Sequence, residues 1–219
     1  AAIAAAALAL ASFLGERLDR SRDVGVLSRR RNETVRVGRV PRQAAWWQDR
    51  RTRVDLVNAA RAGHTAVLTQ VLSGLGGVGK THLAAQFARD LDAAGDLDVL
   101  VWITAASRDA VVAGYAEAAH ALNACGPDVE PPAAAGQFLS WLELTRRRWL
   151  IVLDNLDSPA DASGLWPPDN HNGRTVVTTR SRDPILGTSD RALIPVDLFT
   201  PAEAGNYLTR ATGSSTGVE

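Results

Sequence analysis

Apolar and polar positions alternate with two different periods along most of this chain, and from residue 46 onward the periods take turns. Helical spacing marks residues 54–62, and a strand-like run follows at 67–73 (VLTQVLS). Leu83, Phe87 and Leu91 then repeat every four residues up to Gly95, as one face of a helix does. Residues 97–104 (LDVLVWIT) predict a second strand, and Val111, Tyr115, Ala119 and Leu122 predict a helix ending near Gly126-Pro127. A Pro/Ala loop over 127–135 leads to a short helix through Phe138, Trp141 and Leu142. WLIVLD at 149–154 is apolar without alternation, the mark of a strand buried on both faces. RTVVTT (174–179) and ALIPVDL (192–198) are further strands. Thr200-Pro201-Ala202-Glu203 opens a last helix with a capping hydroxyl, a proline at the first helical position and a glutamate three residues on. Strands alternating with helices predict an α/β domain built on a mostly parallel sheet.

Upstream the pattern is different. Residues 1–22 begin with the apolar, Ala-rich run AAIAAAALALASFL and pass into GERLDRSRD, with Arg29, Arg30 and Arg31 beyond. A run of fourteen residues is shorter than the roughly 20 that span a bilayer. A soluble Ala-rich helix and the remainder of a cut membrane helix with arginines on its cytoplasmic side both fit. Residues 23–45, with Gly38 and Pro41 and no clear period, read as a linker. The expected domain thus covers 46–212, and GSSTGVE at 213–219 reads as a tail. The start at Ala1 and the lack of methionine suggest a piece of a longer protein, cytoplasmic and with an option of membrane anchoring through the first helix.

Composition narrows the chemistry. The 219 residues are 46% hydrophobic and 22% charged, which excludes a disordered or collagenous chain. With 24 basic and 24 acidic residues the net charge is +0, so no overall field draws the chain to nucleic acid, and no direct nucleic-acid binding is expected. The single cysteine, Cys125, allows no internal disulfide and no cysteine metal cluster. Lys80 is the only lysine, all other basic side chains being arginine. An arginine bias of this kind follows from base composition, but a retained lysine points to a place where a compact ammonium must reach an anion.

Lys80 lies in Gly74-Leu75-Gly76-Gly77-Val78-Gly79-Lys80-Thr81, a G-x-x-x-x-G-K-[ST] loop between a predicted strand and a predicted helix. Glycines let successive amides curl around phosphate oxygens, and the helix that follows adds its positive end. Lys80 would reach the β- and γ-phosphates, and the Thr81 hydroxyl would coordinate Mg²⁺. Asp154, closing the apolar strand 149–154, is the candidate Walker B carboxylate on the far side of the metal, placed at the carboxyl edge where parallel sheets bind ligands. Arg180 follows a third strand at the same edge and is a candidate sensor of the γ-phosphate, though pairing with Asp183 is an alternative.

These motifs together resemble the NB-ARC group of STAND signalling ATPases. The resemblance rests on SGLGGVGKTHLA (73–84), VLVWITA (99–105), RRWLIVLDNLD (147–157) and GRTVVTTRSRD (173–183). Trp47-Gln48-Asp49-Arg50-Arg51 also looks like the family's short segment lying against adenine. The resemblance implies a P-loop fold with a five-stranded sheet in the order 5-1-4-3-2. It also implies that the 74–81 loop with His82 holds phosphate and magnesium, that Trp47, Gln48 and Arg50 approach adenine, that Thr81 and Asp154 serve the metal, and that Arg180 senses the γ-phosphate. ATP or ADP with Mg²⁺ would be the ligand, and ATP-driven self-association of the full-length protein the output.

Three positions depart from the pattern. Asn155 replaces a frequent second acid after Asp154, and an amide is no general base near neutral pH. Hydrolysis is therefore expected to be slow, with Asp157 as a substitute base if it reaches the attacking water. His82 stands where a second threonine is common, and Asp49 where glycine is usual. The competing reading is a turnover ATPase or kinase on a related P-loop fold. Leu75 argues against the partitioning type, which has lysine there.

Overall fold

The computed structural model describes residues 33–42, 51–61, 65–70, 79–181, 183–187, 191–196 and 199–212. The expected Ala-rich helix of 1–22, the segment 47–50 and the tail 213–219 lie outside the described residues.

Six parallel strands form one sheet: β1 (Val35–Val37), β2 (Thr65–Gln70), β3 (Val99–Thr104), β4 (Trp149–Asp154), β5 (Gly173–Thr178) and β6 (Arg191–Val196). Their spatial order is β1-β3-β4-β5-β2-β6. Counted from β2, the last five strands reproduce the order 5-1-4-3-2, and β1 is added outside β3. Residues 35–37, inside the expected linker 23–45, form a strand paired with Val99–Val101. Gly38, at φ 79°, then passes so close to β3 that a Cβ there would stand 1.9 Å from the Trp102 carbonyl oxygen.

Alternate residues of the central strands point to opposite faces and build two cores. Val99, Val101 and Ile103 of β3 and Trp149, Ile151 and Leu153 of β4 belong to one. Leu100, Trp102, Leu150 and Val152 belong to the other. Helices α1 (Arg51–Arg61) and α2 (Lys80–Ala93) cover the second face with Leu56, Leu83, Phe87 and Leu91. Helices α3 (Arg108–Ala121) and α4 (Pro131–Leu144) cover the first with Val111, Tyr115, Phe138 and Leu142. The Tyr115 hydroxyl, fully buried, donates to the Leu165 carbonyl at 3.0 Å, and burial pushes the phenol well above its ordinary range.

Helix α4 is longer than expected and absorbs part of the expected Pro/Ala loop. Pro131 and Pro132 occupy its first turn, where a missing N–H costs nothing. Helix α5 (Pro201–Thr212) starts with the expected capping box: Glu203 N donates to Thr200 Oγ1, and Thr200 N donates to the Glu203 carboxylate at 2.8 Å. α4 stops at Leu144, and Arg146, Arg147 and Arg148 lie in the connection to β4. There Arg148 binds Asp98 at 2.9 Å and Asp96 at 3.2 Å, tying the amino-terminal edges of β3 and β4 together. Among the described residues no helix is long and apolar enough to cross a membrane.

Candidate functional site

All six strands run the same way, so their carboxyl ends share one edge. At that edge β2 leads toward α2, β4 ends at Asp154, and β5, which lies between β4 and β2, ends at Thr178. Register places Thr104 opposite Asp154 and Leu68 opposite Thr178, so the three chain ends leave the sheet at nearly one level.

Gly79 precedes α2 in the left-handed region, φ 92°, which glycine adopts without penalty. This turn brings Lys80 into the first helical position, and the Leu83 amide donates to the Gly79 carbonyl at 2.8 Å. Lys80 is buried, with 9% of its surface exposed. Burial pushes its ammonium below the usual lysine range, the charge of Arg180 pushes it further, and Asp154 opposes both. The structure thus brings the candidate sensor Arg180 within electrostatic reach of Lys80. Lys80 thus feels a second cation, Arg180, and one carboxylate, Asp154, and an added anion would offset the repulsion between the two cations.

Thr81 donates its hydroxyl to Asp154 Oδ1 at 2.8 Å, across 73 residues of chain. A hydroxyl and a carboxylate at this distance are hard oxygen donors of the kind Mg²⁺ takes, so the donor set fits that ion. Thr178 also donates to Asp154 Oδ1, at 2.6 Å, and its own oxygen accepts from the Asn155 amide at 2.8 Å. Thr178 was read only as a strand residue, because its hydroxyl gains meaning only through the adjacency of β4 and β5.

Beyond Asp154 the chain turns at Asn155 with φ 61°. The Asn155 side-chain amide donates to Asp157 Oδ2 at 3.3 Å, so Asp157 faces the residue that replaces the usual second acid. Leu156 donates its amide to the Thr178 carbonyl at 2.9 Å, and Thr179 returns a hydroxyl bond to the Leu156 carbonyl at 2.6 Å. Arg180 follows two residues after β5 ends and is exposed; the Asp183 carboxylate accepts from the Ile185 amide at 3.0 Å. His82 is exposed on α2. Gly74, Gly76, Gly77, Val78, Trp47, Gln48 and Arg50 lie outside the described residues. No grouping of three or more histidine, cysteine or acidic side chains suited to a metal occurs among the described residues.

The family model of the NB-ARC domain matches residues 61–211. No curated protein matches the sequence. Among solved structures, a signal transduction ATPase with numerous domains (STAND) from Pyrococcus horikoshii, carrying a tetratricopeptide repeat sensor, aligns with a TM-score of 0.53 and 17% identity. The match covers 81% of this chain and 27% of that one, so the present chain spans about a quarter of that protein's length. The Drosophila origin recognition complex bound to DNA aligns with a TM-score of 0.52 and 14% identity over 89% of this chain and 54% of that one. At such identities these likenesses speak for the fold.

Proposed function

The chain belongs to the NB-ARC family, and from that premise we propose that this nucleotide-binding P-loop ATPase module works as an ATP/ADP switch with slow hydrolysis. In this reading the 74–81 loop with Lys80 grips the phosphates, His82 lies at its rim, and Trp47, Gln48 and Arg50 approach the adenine. Thr81 and Asp154 hold Mg²⁺, and Arg180 responds to the γ-phosphate. The observation that carries the reading is the convergence of Lys80, Arg180, Thr81 and Asp154 at one sheet edge from three different strands' ends.

The bound ion would neutralise charge shared by the β- and γ-phosphates. Arg180 would distinguish ATP from ADP by meeting the charge of the third phosphate at the edge where its own charge already acts on Lys80. Asn155 supplies no base for water, and the Asp157 carboxylate accepts from the Asn155 side-chain amide, so this oxygen is already engaged when water would need it. Slow turnover suits a switch, whose states must persist. Moving such a population from 1:99 to 99:1 takes about 5.5 kcal/mol of differential binding. In the longer protein the ATP state would favour self-association.

Calorimetry tests this reading: the chain should bind ADP and Mg-ATP, and Lys80→Ala should abolish both. Unchanged ADP affinity in Lys80→Ala would overturn the site. Turnover above about 1 s⁻¹, ordinary for enzymes, would favour a turnover ATPase or kinase over a switch.

A further inference from the structure

We propose that Thr178 is a positioning residue for the metal site, holding the Asp154 carboxylate in the orientation that receives Mg²⁺; this rests on the nucleotide reading above.

A threonine hydroxyl has one proton and two lone pairs. At Thr178 the acceptor side is settled by the Asn155 amide at 2.8 Å, since an amide can only donate. Its proton therefore goes to Asp154 Oδ1, at 2.6 Å, a length typical of a hydroxyl bonded to an ionised carboxylate. Thr178 is 2% exposed and Asp154 8% exposed, so water cannot readily replace either bond. Thr81 also donates to Oδ1. Both hydroxyl protons meet on one oxygen, and among the described residues no hydrogen bond engages Oδ2.

The two hydroxyls are not equivalent. In the proposed complex the Thr81 oxygen is itself a metal ligand, free to adjust as the ion arrives. Thr178 lies on a strand fixed between β4 and β2, and its bond to Asp154 does not depend on the ion. A partner of this kind orients a ligand without touching the metal, and its loss typically lowers metal affinity about ten- to hundredfold. The same residue also fixes the turn after Asp154 through the Asn155 amide and, with its own carbonyl, through the Leu156 amide.

The test compares ADP and ATP affinity of the 219-residue chain in Mg²⁺ and in EDTA. In Thr178→Val the affinity gained from Mg²⁺ should fall at least about tenfold relative to wild type, while ADP affinity in EDTA stays within about twofold. Thr178→Ser should restore the gain, and adding Thr178→Val to Asp154→Ala should cause no further loss of it. A merely structural role would lower the melting temperature and leave the Mg²⁺ gain intact. An unchanged gain in Thr178→Val, or no rescue by serine, overturns the proposal. If Thr178→Val does not fold, Thr178→Ala is measured to the same criterion. Wild-type protein that binds no nucleotide overturns the function reading and this role with it; wild-type binding with a Mg²⁺ gain that only Asp154→Ala removes overturns the Thr178 role alone.

Discussion

The Thr81 hydroxyl and the Asp154 carboxylate meet at 2.8 Å although one stands in the first turn of α2 and the other at the end of β4, 73 residues on. Each is preorganised by the other, so in the proposed complex a cation entering between them would replace one hydrogen bond and meet oxygens already in place. Asp154→Ala is expected to remove the Mg²⁺-dependent part of nucleotide affinity, at least about tenfold or 1.4 kcal/mol, and to spare ADP binding in EDTA. Titrations with and without Mg²⁺ check this; an undiminished Mg²⁺ effect would refute the assignment of Asp154.

Arg180→Ala should reduce the preference for ATP over ADP by about ten- to hundredfold, the worth of one hydrogen bond to a charged group. ADP affinity should change little. Because the Arg180 charge helps to depress the Lys80 pKa, the same substitution should raise that pKa. Competition binding measures the first effect and NMR titration of the lone lysine the second.

Asn155→Asp should speed hydrolysis. The backbone at φ 61° suits Asn and Asp equally, so the exchange introduces no strain. It replaces the donor to Asp157 with a second carboxylate, and two close carboxylates raise one of their pKa values toward that of a useful base. A phosphate-release assay should show turnover rising at least about tenfold. An equal or lower rate would mean that the absence of a base is not what limits the wild type.

Asp98 has a carboxyl held below the usual carboxylate range, chiefly by hydrogen bonds from the Arg148 side chain. A carboxylate depressed in the folded state contributes stability that is complete above its unfolded value of about 3.9 and is lost as pH falls through the folded one. The pair is partly exposed, 29% on each side, so screening keeps the contribution modest. The urea midpoint of wild type should therefore decline below about pH 4 more steeply than that of Asp98→Asn. Parallel curves would show that the ion pair adds nothing.

Much of this architecture could be read from the chain because its signals are local. The 74–81 loop and the apolar run ending in Asp154 are contiguous, and the strand at 149–154 occupies its expected bounds. What escaped reading depends on partners far away in sequence. Val35-Arg36-Val37 has too few residues to show a period, and only contact with β3 makes it a strand. The proline pair at 131–132 looks like a loop until the helix that follows is seen to begin there. Arg148 finds Asp98 across 50 residues, and Thr178 finds Asp154 across 24. A threonine in a strand is unremarkable until the neighbouring strand is known.

The added strand β1 has a practical meaning for anyone trimming this protein. A chain shortened to begin at residue 46, where the regular alternation starts, would strip the margin of β3, leaving open the backbone groups of β3 that face β1. Such a bare border invites sticking between molecules, so the minimal soluble piece should keep Thr34 through Gly38.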